Sequence, residues 1–136
     1  MADMTEFMKN DNFARHNGME LLEVSPGKAK VSMRIRPEHM NSHGTVHGGA
    51  IFSLADFAFA AASNSHGVAA VAINGNIYYF KPAMKGRLIA EASEVSLSSR
   101  IAAYNVEVKD DEGVTVAVFQ GMVYRKKEAV GEPAKA

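Results

Sequence analysis

Cysteine and tryptophan are missing from the 136-residue sequence. Without cysteine the protein has no disulfide bond, no thiolate nucleophile and no cysteine-ligated zinc. An excess of one sign of charge is also missing, because 15 basic side chains balance 15 acidic ones. A formal net charge of zero gives no field that would attract polyanions, so we expect neither nucleic acid nor an anionic membrane as a partner.

The sequence also lacks a hydrophobic run long enough to cross a bilayer, since the longest apolar stretch covers residues 50–62 and contains Asp56. Residues 1–6 are polar and acidic, whereas a signal peptide begins with basic residues and continues with apolar ones. These features predict a cytoplasmic protein. The length fits one domain, which we expect to cover residues 1–125, followed by a disordered tail over residues 126–136.

The order of the predicted elements indicates an α+β fold. Residues 4–15 are typical of a short N-terminal helix, and residues 28–36 alternate between polar and apolar side chains, which predicts a strand with one wet face. Residues 48–66 are rich in Ala, Leu and Phe and predict a helix that is buried in the middle of the domain. Further strands are predicted over 69–81, 87–97, 102–109 and 114–124. An antiparallel sheet of five or six strands wrapped around one long central helix accommodates all of these segments.

Asp56 is the strongest catalytic candidate. It lies among apolar residues on the helix that we expect to be buried. Burying an ionised carboxylate without partners costs several kcal/mol, so this position favours catalysis. The alternative is that the carboxylate binds a backbone group or faces a wet subunit interface.

A glycine-containing loop, Asn41 to Gly49, leads directly into the predicted helix. Gly48 and Gly49 would let a substrate approach the backbone closely, and the N–H groups at a helix N-terminus have no partner within the helix. With the positive end of the helix dipole behind them, such groups can bind a carbonyl oxygen that becomes an oxyanion. The alternative is a tight loop that needs glycine only for packing.

The spacing of Gly48 and Asp56 predicts a dimer. At 1.5 Å per residue, the two residues lie about 12 Å apart along one helix. An oxyanion donor and a base or nucleophile must both lie within about 3 Å of one reacting group. If both serve one site, the donor comes from one subunit and the carboxylate from another, on antiparallel helices of a homodimer with two composite sites.

The segment from Asn41 to Phe59, with its HGG-x6-D core, and the later stretch NIYYFKPA at residues 76–83 resemble the hotdog-fold acyl-CoA thioesterases. Within that family the phenylacetate-pathway type is the most similar. The resemblance implies a hotdog fold, homodimers that often pair into homotetramers, and active sites between subunits. It also implies acyl-CoA substrates, aryl or phenylacetyl thioesters among them, and no metal or other cofactor.

The resemblance also implies roles for individual residues. Asp56 is the catalytic carboxylate, as a nucleophile on the thioester or as a base for water. The backbone of Gly48, with Gly49 beside it, donates to the thioester carbonyl. Asn41 holds the water or the thioester, and His47 orders the turn.

One departure from the family concerns the strand after the central helix, where some relatives carry serine or threonine near the attacking water. Residues 68–74 contain no hydroxyl group, so either Asn74 or Asn76 substitutes or Asn41 alone positions the water. Lys81 and Arg100 are the basic candidates for the phosphates of coenzyme A. A solvated surface charge is the alternative for each of them.

Three histidines, His39, His43 and His47, have the spacing of metal ligands on a helix, but Pro37 and Gly44 argue against a regular helix there. We therefore predict no metal site. Two alternative functions remain: a dehydratase or hydratase of the same fold, which needs a histidine paired with the helix acid, and a non-catalytic module that binds acyl thioesters.

Overall fold

A computed structural model describes residues 4–132 of the chain. Three α-helices and six strands make up the domain, with a short 3-10 helix before the central helix. The helices are α1 (Met4–Lys9), α2 (Asn12–His16) and α3 (Gly48–Asn64), and the 3-10 helix covers Pro37–His39. The strands are β1 (Met19–Ser25), β2 (Lys28–Arg34), β3 (Val68–Tyr79), β4 (Arg87–Leu97), β5 (Ile101–Lys109) and β6 (Thr115–Ala129).

The six strands form one antiparallel sheet in the order β1-β2-β4-β5-β6-β3. The helix α3 packs across one face of this sheet and contacts all six strands. This arrangement confirms the predicted α+β architecture. Within residues 4–132, no helix is long and apolar enough to cross a membrane.

Two predicted boundaries differ from the structure. The N-terminal helix is divided into α1 and α2, because the side chain of Asp11 accepts a hydrogen bond from the Ala14 amide and starts a new helix there. The strand β6 continues to Ala129, so residues 126–129 are not a disordered tail. The backbone of Ala129 pairs with Val68 at the start of β3, and Val130 beyond it is buried. Residues 133–136 of the predicted tail lie outside the described part of the chain.

A hollow made by two glycines admits the aromatic side chains that hold α3 on the sheet. Gly75 of β3 and Gly121 of β6 are partners in the strand register, and we call this pair the glycine hollow. The ring of Phe59 on α3 packs against that of Phe119 on β6, with the ring centres 5.3 Å apart. A Cβ atom at Gly121 would lie 2.7 Å from both rings. The absence of side chains in the hollow therefore sets how closely α3 approaches the sheet.

The helix α3 runs antiparallel to β3 along its whole length. At the C-terminal end of the helix, the Asn64 side chain accepts from the Ala70 amide at 2.9 Å and donates to the Ala70 carbonyl at 3.3 Å. At the N-terminal end, the Tyr79 hydroxyl donates to the Gly48 carbonyl at 2.9 Å. These two contacts fix the level of each α3 residue relative to β3.

We predict that Gly121→Ala lowers the free energy of unfolding by about 1–3 kcal/mol, because the added methyl group overlaps two packed rings. Gly75→Ala is expected to cost less, since a Cβ there would meet Phe119 at 3.2 Å. Urea denaturation of both variants measures the difference. Adding Phe59→Leu should recover part of the loss at Gly121. A Gly121→Ala protein as stable as the wild type would contradict the role of the hollow.

Candidate active site

The N-terminus of α3 leaves one amide without a partner. His47 is the N-cap, and its Nδ1 accepts a hydrogen bond from the Gly49 amide at 2.9 Å. The His47 carbonyl accepts from the amides of Ala50 and Ile51. Among the described residues, the Gly48 amide forms no hydrogen bond. The structure therefore leaves the Gly48 amide free to donate to a ligand. The Gly49 amide, the other predicted donor, already donates to His47.

Tyr79 packs over Gly48. In addition to the hydrogen bond from its hydroxyl, the ring lies 3.2 Å from the position that a Cβ atom of Gly48 would occupy. A Cβ atom there would require the exposed Tyr79 ring to shift slightly, so the packing favours glycine at position 48. Sequence reasoning did not pair these residues, because they are 31 positions apart and no local pattern connects them.

Asn41 uses its side chain to close its own loop. The Oδ1 atom accepts from the amides of His43 at 2.9 Å and Thr45 at 3.1 Å. The Nδ2 atom donates to the Thr45 hydroxyl at 3.0 Å. Asn41 therefore shapes the loop before α3, and the structure shows no contact between it and Asp56 in one protomer.

Asp56 is exposed on the single chain, so the prediction that it is buried is wrong. It lies on the one face of α3 that the sheet does not cover, together with Gly49, Ser53 and Ala60. Its neighbours in sequence, Ala55 and Phe57, are buried because successive residues of a helix point about 100° apart. An apolar sequence on both sides of Asp56 therefore did not imply burial.

The carboxylate of Asp56 lies at a cavity of about 210 Å³ between α2 and α3, which also contains Asp11. Although part of the Asp56 side chain is open to solvent, the walls of this cavity displace water from one side of the carboxylate and so raise the pKa of Asp56, and the negative charge of Asp11 raises this pKa further. No ion pair stabilises the ionised form in the described part of the chain. A carboxyl group whose pKa is raised in this way is a stronger base, which suits proton abstraction.

A larger cavity of about 390 Å³ connects the Asp56 cavity with the start of α3. The two cavities share Phe13, Met19 and Ser53, and the larger one reaches Gly49 and Ala50. Met33 and Met40 add flexible apolar surface to its lining. The single chain thus offers an apolar groove along the exposed face of α3.

The remaining predicted binding residues are spread along the sheet. Lys81 follows β3 and shares a cavity of about 370 Å³ with Gly48 and Tyr79. Asn76 is exposed near the middle of β3. Arg100 lies in the β4–β5 turn, beside the C-terminal part of β6, and donates to the Arg125 carbonyl at 2.6 Å. Arg100 therefore holds a turn and does not approach Gly48 in the same protomer.

The three histidines before and at the start of α3 have separate environments. His39 is buried and its Nδ1 accepts from the Arg36 amide, His43 is exposed, and His47 caps α3. In residues 4–132, no three His, Cys, Asp or Glu side chains are grouped so that they could hold a metal ion.

Residues 43–117, more than half of the chain, match the Thioesterase superfamily. The chain belongs to this superfamily. A putative esterase of Archaeoglobus fulgidus is 47% identical over 121 residues, which cover 88% of this chain and 79% of the esterase. The acyl-coenzyme A thioesterase PaaI of Escherichia coli is 35% identical over 86% of this chain and 84% of its own.

Two solved structures show more specifically which thioesterases this chain resembles in fold. The structure of the E. coli PaaI protein from the phenylacetic acid degradation operon superimposes with a TM-score of 0.87, covering 93% of this chain and 99% of PaaI at 32% identity. The TT0310 protein of Thermus thermophilus gives a TM-score of 0.82 at 46% identity, covering 86% of this chain and 99% of TT0310. The predicted hotdog fold and the PaaI-like type are thereby confirmed.

For this thioesterase we predict that His47→Ala lowers the free energy of unfolding by about 1 kcal/mol, because the Gly49 amide loses its cap. His47→Asn should lose less, since an amide oxygen can replace Nδ1 as acceptor. The exposed His43 of the same loop provides the control, and His43→Ala should be neutral. Urea denaturation compares the three variants, and equal stability of the Ala variants would contradict the capping role.

Proposed function

We propose that this thioesterase hydrolyses acyl-CoA thioesters to a free acid and coenzyme A. The observation that carries the proposal is the unpartnered Gly48 amide at the start of α3, on the same helix as a carboxylate of raised pKa. An oxyanion donor and a carboxylate that acts as base or nucleophile are together sufficient for hydrolysis of a thioester. The name of the E. coli relative, an acyl-coenzyme A thioesterase, supports the same substrate class.

In the proposed reaction the thioester carbonyl oxygen accepts a hydrogen bond from the Gly48 amide. As a base, Asp56 takes a proton from water while the water oxygen bonds to the carbonyl carbon. The tetrahedral intermediate then breaks its C–S bond, and the leaving thiolate takes the proton. As a nucleophile, Asp56 instead forms an acid anhydride with the acyl group, releases the thiolate, and is restored when water hydrolyses the anhydride. Both routes need the same carboxylate.

The two groups must come from different protomers, because about 12 Å of rigid helix separates Gly48 from Asp56. The strand β3 offers the surface for pairing two protomers. It is a free edge of 12 residues, and its exposed side chains include Val71, Ile73 and Tyr78. A long apolar edge strand is a template for pairing with another chain.

The alignment of α3 on β3 indicates where the two-fold axis passes. Gly48 lies level with Tyr79 and Asn64 with Ala70, so interpolation along the helix places Asp56 level with residues 74–75. Two β3 strands can pair antiparallel about a two-fold axis that passes near Asn76, midway between the level of Gly48 and the level of Asp56. That axis brings Gly48 of one protomer level with Asp56 of its partner. Asn41 is left to hold the attacking water, because Asn76 pairs with the exposed Gln120 on the outer face of the sheet, whereas its neighbour Gly75 faces α3.

This pairing also accounts for the separation of the two basic residues. Lys81 lies near one end of β3 and Arg100 lies against the part of β6 that pairs with the other end. A two-fold axis through the strand brings Lys81 of one protomer towards Arg100 of the partner protomer, where both can bind the phosphates of coenzyme A. The apolar groove along α3 then receives the acyl group, aliphatic or aryl, phenylacetyl included.

A homotetramer of two such dimers completes the proposed assembly. The outer face of the sheet exposes Val95, Met122 and Tyr124, and such apolar side chains can be covered by a second dimer. We also place the protein in the cytoplasm, where acyl-CoA thioesters are available as substrates.

We predict that Asp56→Asn lowers kcat about 10²–10⁴-fold, because the amide can neither accept the proton nor attack the thioester. Thiol release from short, long and aromatic acyl-CoAs, followed with a disulfide reagent, measures it, and the cysteine-free protein adds no background. Glu91→Gln, an exposed carboxylate on β4, is the matched control. Retained activity in Asp56→Asn would contradict its role.

The same assay separates the alternative functions. A folded wild-type protein that binds acyl-CoA without releasing thiol would be a binding module. Hydration of an enoyl thioester without loss of the thioester would indicate a hydratase.

We predict that Asn76→Cys forms a disulfide between protomers under mild oxidation, because residues beside the proposed axis approach within the 4.4–6.8 Å that a disulfide requires between Cα atoms. Non-reducing gel electrophoresis detects the cross-linked dimer, and no native cysteine competes. Glu23→Cys, on the opposite edge strand β1, is the control and should stay monomeric on the gel. Equal cross-linking of both variants, or of neither, would contradict the proposed pairing.

A further inference from the structure

Two carboxylates face one cavity from different elements. Asp56 lies on the exposed face of α3, and Asp11 is the N-cap of α2. The cavity of about 210 Å³ between them is otherwise lined by Phe13, Ala14, Met19, Ser53 and Phe57. No cation lines it, and neither carboxylate forms an ion pair within residues 4–132. The two negative charges therefore act on each other without a neutralising partner.

The position of Asp11 is fixed by the helix that it begins. Its Oδ1 accepts a hydrogen bond from the Ala14 amide at 2.9 Å, and α2 packs against α3. This capping bond holds the carboxylate at the start of α2, where Asp11 lines the cavity. The division of the N-terminal segment into α1 and α2 thus places a second acid beside the candidate catalytic one.

We propose that Asp11 is a positioning residue that acts on the reaction through Asp56, as a second carboxylate held by α2 across their shared cavity. The proposal rests on the proposed thioesterase mechanism. A neighbouring negative charge disfavours the ionised form of a carboxyl group, and the effect is stronger where protein replaces water. Asp11 thereby makes Asp56 a stronger base.

Other charged groups lie outside this cavity. The two adjoining cavities contain them: Lys9, Arg15 and Glu20 on one side, and His16, Glu38, His39 and His47 on the other. Lys9 pairs with Glu6, and Arg15 donates to Asn12. Asp11 is therefore the charged side chain that faces Asp56 most directly.

The test uses Asp11→Asn, because asparagine caps a helix as well as aspartate does and removes only the charge. Asp56 should then stay ionised to lower pH, so the acidic limb of the kcat/KM profile moves to lower pH. The ratio of variant to wild-type kcat/KM should rise steadily as the pH falls. On the high-pH plateau the variant should be less active, by less than tenfold, because its base is weaker.

A second measurement does not depend on turnover. The side-chain carboxyl carbon of Asp56, identified in NMR spectra by its loss in Asp56→Asn, should titrate at lower pH in Asp11→Asn than in the wild type. Asp11→Ser keeps a cap and should shift the titration in the same direction. Glu23→Gln removes an exposed negative charge from β1, away from this cavity, and should leave both the titration and the pH profile unchanged.

The outcomes separate the two proposals. If Asp56 titrates at the same pH in the wild type and in Asp11→Asn, the coupling is absent and the inference is overturned. If the titration moves but the pH profile does not, Asp11 does not act on the reaction. If the wild type hydrolyses no acyl-CoA while the titration moves, the proposed function has failed although the two carboxylates are coupled.

Discussion

The packing of Phe59 and Phe119 in the glycine hollow is the interaction on which the rest of the structure depends. Together with the edge contacts of Phe52 with Phe119 and of Phe59 with Tyr104, it fixes the distance between α3 and the sheet. Because the Gly48 amide and the Asp56 carboxylate both belong to α3, a change in the hollow moves both groups together. The chemistry of the site is thus set by core packing on the other side of the same helix.

A rigid helix is also the reason for the proposed division of the site. No rotation of side chains can bring the start of α3 and Asp56 of one protomer to one reacting atom, so in the proposed mechanism each protomer contributes one half of each of two sites. Of the two edge strands, β3 is the longer, and α3 lies antiparallel to it from end to end. In the proposed dimer, symmetric pairing along that edge aligns two helices at once and so links assembly to activity.

The sequence predicted the sheet and the central helix because alternation in strands and the Ala, Leu and Phe composition of residues 48–66 are local signals. It could not show which face of α3 stays uncovered, since apolar residues occupy nearly every face and the exposed one is decided by tertiary packing. The end of β6 was missed for a related reason. Charged residues 125–128 are typical of a tail, but their backbone is held by β3 and by the Arg100 side chain.

His47, Gly48 and Gly49 of the HGG motif have different structural roles, and the motif alone does not show which residue has which role. The Tyr79 ring packs closely over Gly48 and favours glycine there, so the presence of glycine does not by itself indicate catalysis. The informative observation is which of the amides around Gly48 have hydrogen-bond partners. His47 satisfies the Gly49 amide and leaves the Gly48 amide unpaired at the positive end of the helix dipole. The Gly48 amide is proposed as the oxyanion donor because it is unpaired while the neighbouring Gly49 amide is capped.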